Sequence, residues 1–354
     1  FSNSPPYFMT KSGCSSGATN SSEGNLREDS YHAFAAYMAD VMEHWAENGI
    51  NWQSVSPMNE PNPAAGYWGA NSNKQEGCHI EVGENQSKVI TTLNEELQRK
   101  AAAATDPKVK EILSNVVYAG TDETSIDWAI SSYNALDSKT KQTVTRIDTH
   151  AYSGSKRDEL RTLAEQENKN LWMSEVDGAY TAGTNAGEMT GALGLAGQIM
   201  KDLNGMKATA WILWNAVDNN ADAENGPEKW PFGNDYVDME KLFQKVDLNK
   251  GYWGIAFGDH NNQQIVLSKK YEAFGQFSRY IRPGYTIIGS DNSNTLAAWD
   301  TQGKKLVVVA MNTQAEDQRW KFDLRKFTGI NSANFSKVSA YRTSGSMENG
   351  EKWA

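Results

Sequence analysis

The chain has 354 residues, of which 39% are hydrophobic and 22% charged, and its formal net charge is −10. A chain of this length can bury a large core and form one big domain plus a smaller one. It lacks an apolar run of about 18 residues, so no transmembrane helix is predicted. Because the chain is acidic and has no stripe of Lys and Arg, nucleic acid and anionic membranes are not expected as partners.

Apolar runs of strand length recur along the first part of the chain. Six of them are predicted strands: residues 1–9, 52–58, 116–120, 146–152, 171–175 and 210–216. Segments with helical spacing lie among and after them, at residues 31–48, 84–104, 121–136 (with its preceding loop), 157–167, 187–203 and 268–280. Nearly continuous apolar strands separated by helices predict a parallel sheet with helices on both faces.

The predicted fold of this first part is a (β/α)8 TIM barrel. Six strands would leave an open edge, so two further β/α units are expected upstream of Phe1. After Pro283, five short strands with no helices between them predict an all-β sandwich, which would also need strand material from beyond this stretch. The predicted domains are a catalytic barrel over residues 1–282 and a β-sandwich side domain over residues 283–354.

Two of the predicted strands end in a glutamate. Glu60 follows the second strand and precedes Pro61, which cannot donate to a sheet ladder and restricts the residue before it. Glu175 ends the fifth strand. Barrel enzymes have their active sites at the carboxyl ends of the strands, and glycosidic cleavage needs one carboxyl group as acid and a second as nucleophile or base. Both glutamates are therefore candidate catalytic residues of a glycosidase.

Three segments resemble glycoside hydrolase family 30, and within it the branch that includes endo-β-1,6-galactanases. They are residues 1–17, 75–79 and 172–178, in the order and spacing of that family. The motif around Glu60 alone is a weak signal, because many retaining barrel glycosidases share it. The resemblance covers residues 1 to about 280 and implies a retaining hydrolase that acts on a polysaccharide or oligosaccharide.

The resemblance implies roles for five side chains. Glu60 would be the general acid/base and Glu175 the nucleophile. Asn59 would hydrogen-bond the sugar 2-hydroxyl, and Tyr152 would donate to the nucleophile and favour its ionised form. Trp214 would form the floor of the −1 subsite. Without the resemblance, Asn59 also fits a turn before proline, and Tyr152 also fits a core position at a strand end.

Further candidates rest on position alone. His150 lies two residues before Tyr152 and so on the same face of the strand, where a ligand contact and a core histidine fit equally well. Asn3 could contact the sugar or have a structural role in its loop. Tyr67 and Trp68, in the loop after the second strand, could stack on further sugar units.

Other acidic residues offer weaker alternatives. Asp122 and Glu123 also follow a strand and are rival carboxylates, although this segment fits a helix cap as well. The acidic loop that begins at Asp218 could bind Ca²⁺, but it lacks EF-hand spacing, so solvated charge is the expected role. No nucleotide-binding glycine motif or HExxH zinc motif occurs, and the chemistry requires neither cofactor nor metal.

The sequence leaves several questions open. Cys14 and Cys78 could form a disulfide in a secreted protein or remain free. We expect a secreted or cell-surface monomer. The same branch could also cleave β-1,6-glucan or xylan, or release disaccharides from a chain end. A carbohydrate-binding protein without catalysis is the alternative from another class, and the presence of both glutamates argues against it.

Overall fold

The structure is a computed structural model that describes residues 1–62, 67–71, 75–181, 185–218, 253–259, 263–325 and 338–353. The chain divides into two compact units. Unit 1 comprises Phe1–Glu175 and Ala208–Trp211, and unit 2 comprises Val176–Lys207 and Ile212–Ala354. Among the described residues, none of the helices combines the length and hydropathy that crossing a membrane requires.

Most residues of a five-stranded sheet lie in unit 1. Its strands, in spatial order, are β1 (Ser54–Val55), β2 (Val117–Ser125), β3 (Val144–Ser153), β4 (Asn170–Asp177) and β5 (Ala210–Trp214). Neighbours from β1 to β4 pair in parallel. The strand order follows the chain order, as in one half of a barrel. This confirms the predicted parallel sheet.

Helices connect these strands, as the sequence predicts. Unit 1 contains α1 (Tyr31–Glu47), α2 (Glu84–Ala103), α3 (Pro107–Ser114), α4 (Ile126–Ala135), α5 (Ser138–Thr143) and α6 (Arg157–Gln166). The short helices α3 and α5 were not predicted. Each begins at an aspartate whose side chain accepts a backbone N–H of the first turn, Asp106 for α3 and Asp137 for α5. Such a cap contributes about 1 kcal/mol.

Helix α1 buries some of its regularly spaced apolar side chains and exposes others. Tyr31, Phe34 and Met38 are buried, and their spacing places them on one side of the helix. Val41 and Trp45, which continue the apolar spacing, are exposed.

Three predicted strand boundaries need correction. Residues 1–9 do not form a strand: Pro5 and Pro6 lack an N–H for a ladder, and a 3-10 turn follows at Tyr7–Met9. The strand predicted at residues 52–58 is paired only over β1. Residues 121–125, predicted as a loop or helix cap, instead extend β2.

The described residues of unit 2 form two helices and two small sheets. The helices are α7 (Met189–Met206) and α8 (Lys269–Ser278). One sheet joins β6 (Val217–Asp218), β7 (Ala256–Asp259) and β8 (Gln264–Leu267), and the other is antiparallel and joins β9 (Thr286–Ile288), β10 (Thr295–Asp300) and β11 (Lys305–Ala310). The Asn204 amide of α7 donates to the Thr295 carbonyl of β10 at 2.9 Å.

Where the structure describes the chain after Pro283, three of the five predicted strands are present. Residues 319–324 and 338–342 are not strands. Their large apolar side chains Phe322 and Val338 are exposed, so these segments lack the burial that stabilises a strand on a sheet face.

Candidate active site

The carboxyl ends of neighbouring parallel strands bring the candidate residues together. His150 of β3 lies opposite Glu175 of β4 in the sheet register. Asp122 lies in β2 at an irregularity of the pairing with β3. Glu60 follows β1, and its backbone N–H donates to the Asp122 carbonyl oxygen at 2.9 Å. Parallel strands present their carboxyl ends at one edge, which explains why residues far apart in the chain meet here.

The backbone of Glu60 is held on both sides. Its φ is 46°, in the left-handed region that a non-glycine residue adopts only when the surroundings enforce it. The N–H bonds to Asp122, and the carbonyl oxygen accepts the indole N–H of Trp68 at 2.8 Å. These two contacts fix the direction in which the buried Glu60 side chain leaves the chain.

The two glutamate side chains converge on His150. Nδ1 of His150 lies 3.0 Å from Oε1 of Glu60 and 3.7 Å from Oε1 of Glu175. One carboxylate oxygen of each glutamate and this imidazole form a group whose atoms all lie within 4.8 Å of one another. The structure therefore brings Glu60 and Glu175 to one edge of the sheet with only a narrow gap between them.

The surroundings of His150 favour its positively charged form. Burial opposes the charge, but hydrogen bonds to Asp122 and Glu60, together with the charges of Asp122 and Glu175, outweigh burial and raise the pKa of His150 to about 10. In that form both ring nitrogens are donors. Nδ1 is in hydrogen-bond contact with Oε1 of Glu60, and Nε2 lies 3.4 Å from Oδ1 of Asp122. The cluster is a network of oppositely charged and hydrogen-bonded side chains.

Glu175 has the surroundings of a carboxylate that titrates close to neutrality. Burial is the main cause that raises its pKa to about 6, and the charge of Glu60 adds to it. His150 and the Tyr152 hydroxyl act in the opposite direction. That hydroxyl donates to Oε1 of Glu175 at 3.0 Å. Tyr152 is 38% exposed, so it lies at the open side of the cluster.

Asp122 is part of this cluster, although the sequence suggested it only as a rival catalytic carboxylate. It is 2% exposed. Its carboxylate accepts the hydroxyls of Ser56 at 3.1 Å and Ser174 at 2.7 Å. Burial alone would raise its pKa, but hydrogen bonds from His150 and Ser174 outweigh burial and lower the pKa of Asp122. The sequence contains an indication of this position, because Asp122 follows one predicted strand and His150 lies in the next.

Glu123 has a different environment from its neighbour Asp122. Its Oε1 accepts the Ser132 hydroxyl of α4 at 2.5 Å and the Gln86 amide of α2 at 3.2 Å. Its Oε2 accepts the backbone N–H of Asn62 at 3.2 Å. Burial raises the pKa of Glu123 to about 7. Glu123 therefore connects two helices to the segment that follows Glu60, which is a structural role.

Trp68 does not occupy the position expected of a sugar-stacking residue. It is 0% exposed, and its ring packs edge-to-face against Tyr67 at 4.5 Å between centroids. A fully buried ring cannot offer its face to a ligand. Trp68 instead supports Glu60 through its indole N–H, and the expectation of stacking is corrected for this residue.

The remaining predicted residues have varied positions. Asn59 is buried, and its Oδ1 has no hydrogen-bond partner among the described residues, which leaves an acceptor next to Glu60. Asn3 donates from Nδ2 to Oε1 of Glu76 at 2.8 Å near the surface. Trp214 is the last residue of β5 and belongs to unit 2. The acidic residues after Asp218, within residues 219–252, lie outside the described residues.

Cys14 and Cys78 are both free. Their loops run side by side, since the Gly77 N–H donates to the Ser15 carbonyl at 2.9 Å. Burial raises the pKa of Cys78 to about 12, so this thiol is unreactive as it stands.

Two curated enzymes are similar to this chain. An endo-β-1,6-galactanase of Hypocrea rufa is 31% identical over 330 residues, which cover 92% of this chain and 57% of that enzyme. An exo-β-1,6-galactobiohydrolase of Bifidobacterium longum subsp. longum is 25% identical over 386 residues, which cover 93% of this chain and 24% of that enzyme. The chain thus spans a little over half of the fungal enzyme and about a quarter of the bacterial one.

Solved structures and a family profile agree with these similarities. The crystal structure of a glycoside hydrolase family 30 subfamily 8 xylanase from Clostridium acetobutylicum superimposes with a TM-score of 0.55 at 22% identity, covering 88% of this chain and 63% of the xylanase. The profile of O-Glycosyl hydrolase family 30 matches residues 1–225, and these include all five strands of the parallel sheet. The chain belongs to glycoside hydrolase family 30.

Proposed function

We propose that this chain carries the catalytic residues of a retaining glycoside hydrolase that cleaves β-1,6-galactosidic linkages in galactan or arabinogalactan side chains. The observation that carries this proposal is the approach of Glu60 and Glu175, with one oxygen of each within 4.8 Å. In retaining enzymes the two carboxyl groups are about 5–5.5 Å apart, whereas inverting enzymes separate them by about 6.5–9.5 Å to leave room for water.

In the proposed mechanism, Glu60 protonates the leaving oxygen while Glu175 attacks the anomeric carbon. A covalent galactosyl-enzyme forms, and Glu60 then removes a proton from water, which releases the sugar with its original configuration. The hydroxyl of Tyr152 keeps Glu175 available for attack, because donation to a carboxylate favours its ionised form. The free acceptor on Asn59 suits a sugar hydroxyl.

The substrate class is proposed from the two curated enzymes. Both are named for β-1,6-galactan cleavage, one from within the chain and one from its end. We favour internal cleavage because the fungal enzyme is more similar in sequence. Release of a disaccharide from a chain end is the second candidate, favoured by the bifidobacterial enzyme.

The wider architecture belongs to the same proposal. The five-stranded sheet would be part of a (β/α)8 barrel over residues 1–282 with Trp214 at its −1 subsite, followed by a β-sandwich side domain over residues 283–354. A polymer substrate would be met outside the cell, so we propose a secreted or cell-surface monomer. Asn3 is proposed as an additional contact to the sugar.

Substitution of the two glutamates tests the assignment. We expect Glu60→Ala and Glu175→Ala to lose hydrolysis of β-1,6-galactan, by roughly 100-fold or more for the acid/base. Adding azide to each variant distinguishes the nucleophile from the acid/base, with an aryl β-glycoside of 1,6-linked galactobiose as the substrate. It should yield an α-glycosyl azide with Glu175→Ala, where azide replaces the nucleophile, and a β-glycosyl azide with Glu60→Ala, where azide attacks the glycosyl-enzyme.

Three results would contradict the proposal. Retained hydrolysis in either variant would refute the role of that residue. An inverted first product, followed by NMR, would refute retention. Binding of galactan without turnover by the unsubstituted protein would favour a carbohydrate-binding protein. Product sizing on linkage-defined oligosaccharides separates internal from terminal cleavage and tests β-1,6-glucan and xylan as substrates.

A further inference from the structure

Asp122 is connected to Glu60 in two ways, directly through its backbone and indirectly through His150. Its backbone carbonyl accepts the Glu60 N–H at 2.9 Å. Its carboxylate faces Nε2 of His150 at 3.4 Å, and Nδ1 of the same ring lies 3.0 Å from Oε1 of Glu60. One residue of β2 therefore influences both the backbone and the carboxyl group of the proposed acid/base.

The conformation of Asp122 makes both contacts possible. Its φ is 48°, and the preceding Thr121 also has a positive φ of 73°. The register of β2 against β3 shifts between Thr121 and Glu123. A bulge of this kind redirects a side chain, and aspartate is one of the few residues that adopt the left-handed conformation readily. In this conformation the carbonyl of Asp122 faces the Glu60 N–H while its carboxylate faces His150.

The surroundings of Asp122 suit a charged group that is not consumed in a reaction. The hydroxyls of Ser56 and Ser174 donate to its two oxygens, and Nε2 of His150 faces one of them. Almost none of its surface is exposed. A carboxylate that is enclosed by donors remains ionised, and an enclosed group has no access to a substrate.

We infer that Asp122 is a positioning residue whose carboxylate keeps His150 doubly protonated, so that Nδ1–H of His150 always donates to Oε1 of Glu60. This inference rests on the proposed role of Glu60 as the acid/base. Because Oε1 then accepts a hydrogen bond, the proton that Glu60 transfers must be carried on Oε2. Asp122 thus selects which oxygen of Glu60 faces the leaving group.

The charges around His150 come from four elements. Glu60 faces it from the segment after β1, Asp122 from β2 and Glu175 from β4. On β3 itself, the Tyr152 ring lies 5.8 Å from the imidazole between centroids. Asp148 also lies on β3 and is paired with Arg146 at 2.6 Å, so its charge is largely compensated. Of the three carboxyl groups in direct contact with the imidazole, Asp122 is the one that no step of the proposed reaction protonates or esterifies.

The test replaces Asp122 by asparagine. Asparagine has the same shape and also tolerates a positive φ, so Asp122→Asn removes the charge and keeps the backbone contact to Glu60. The matched control is Asp127→Asn, which removes the charge of an aspartate in the first turn of α4 that accepts the Ser155 N–H at 2.9 Å and lies outside the cluster. Imidazole ¹⁵N NMR follows the protonation of His150, whose signals are identified by their absence in His150→Asn.

In the unsubstituted protein we expect both nitrogens of His150 to stay protonated from pH 5 to about pH 8, consistent with the pKa of about 10. In Asp122→Asn the pKa of His150 should fall by at least about one unit. kcat/KM on β-1,6-galactan should fall by roughly 10- to 100-fold, the effect of weakening one charge-assisted hydrogen bond. The alkaline limb of the pH profile of kcat/KM should move to lower pH, and KM should change little. Asp127→Asn should leave both the titration and the profile unchanged.

Several outcomes would overturn the inference. One is an Asp122→Asn protein that folds, keeps His150 doubly protonated and loses activity with an unshifted pH profile. That result would assign Asp122 a structural role only. If the variant does not fold, the unsubstituted protein decides the question, because a neutral His150 at pH 8 refutes the inference directly. The NMR titration requires no turnover, so its result is separate from any failure of the Glu60 and Glu175 variants.

Discussion

Glu123→Gln is predicted to change how the stability of the protein depends on pH. Burial raises the pKa of Glu123 from an ordinary 4.5 to about 7. The folded state therefore binds this proton more tightly than the unfolded state between those pH values, and stability decreases as pH rises through that window. Each pKa unit corresponds to about 1.4 kcal/mol, so ionisation of Glu123 costs on the order of 3 kcal/mol above pH 7.

Glutamine resembles the protonated acid and cannot ionise. The difference in unfolding free energy, variant minus unsubstituted protein, should therefore increase by about 3 kcal/mol between pH 4.5 and pH 8. Urea unfolding followed by far-ultraviolet circular dichroism measures this at both pH values. The hydrogen bonds of the new amide to the donors Ser132, Gln86 and Asn62 are the same at both pH values. Their contribution to the unfolding free energy therefore cancels when the two pH values are compared. All other titrating groups are common to the two proteins and cancel as well.

The matched control is Glu111→Gln, which removes the same charge from an exposed position of α3. Its difference from the unsubstituted protein should change by less than about 0.5 kcal/mol over the same range. If the Glu123→Gln difference is also constant within that margin, Glu123 titrates normally in the folded protein, and the reasoning from burial is refuted.

Three other substitutions test the supports of the cluster. Tyr152→Phe removes a donor that lowers the pKa of Glu175, so that pKa should rise above about 6 and the acid limb of kcat/KM should move up by about half a unit to one unit. Trp68→Phe leaves the Glu60 carbonyl without its indole donor and should lower the unfolding free energy by about 1–3 kcal/mol, with a fall in kcat. Gly17→Ala should destabilise by at least about 2 kcal/mol, because its new Cβ would lie 2.2 Å from the Trp68 carbonyl carbon.

Two control variants sharpen these tests. Trp45→Phe replaces an exposed tryptophan of α1 and should change neither stability nor kcat by a measurable amount. Gly13→Ala has open space around its new Cβ but also a positive φ, so it isolates the backbone cost of about 1 kcal/mol. An unshifted acid limb for Tyr152→Phe, or equal losses for Gly17→Ala and Gly13→Ala, would contradict the structural explanation.

The sequence predicted the parts of the fold whose causes are local. The spacing of Tyr31, Phe34 and Met38 predicts α1, and apolar runs predict β2 to β5. These predictions are possible because the periodicity of apolar residues along the sequence differs between helices and strands. The same local rules placed Glu60 and Glu175 at strand ends. Parallel pairing then brought them together, since strands that run in the same direction share one edge.

Other features depend on partners that are distant in the chain. Nothing near Trp68 indicates that its indole will bond to the Glu60 carbonyl rather than face a sugar. Residues 121–125 have the composition of a helix cap, yet pairing with β3 draws them into β2. Asp122 was therefore assigned as a rival catalytic group, although its partners Ser56 and Ser174 lie on other strands or loops. Local pattern cannot reveal such contacts.

The arrangement of three carboxylates around one imidazolium is consistent with the proposed chemistry in its charge. In the proposed mechanism, Glu60 gives a proton to the leaving oxygen while the Glu175 carboxylate becomes an ester. One negative charge is then lost at Glu175 and one is gained at Glu60, so the net charge of the cluster does not change. Because the total is conserved, His150 need not gain or lose a proton at any step. An imidazolium that keeps both of its protons is unsuited to transferring them during the reaction. It can instead remain a constant hydrogen-bond donor that orients Glu60.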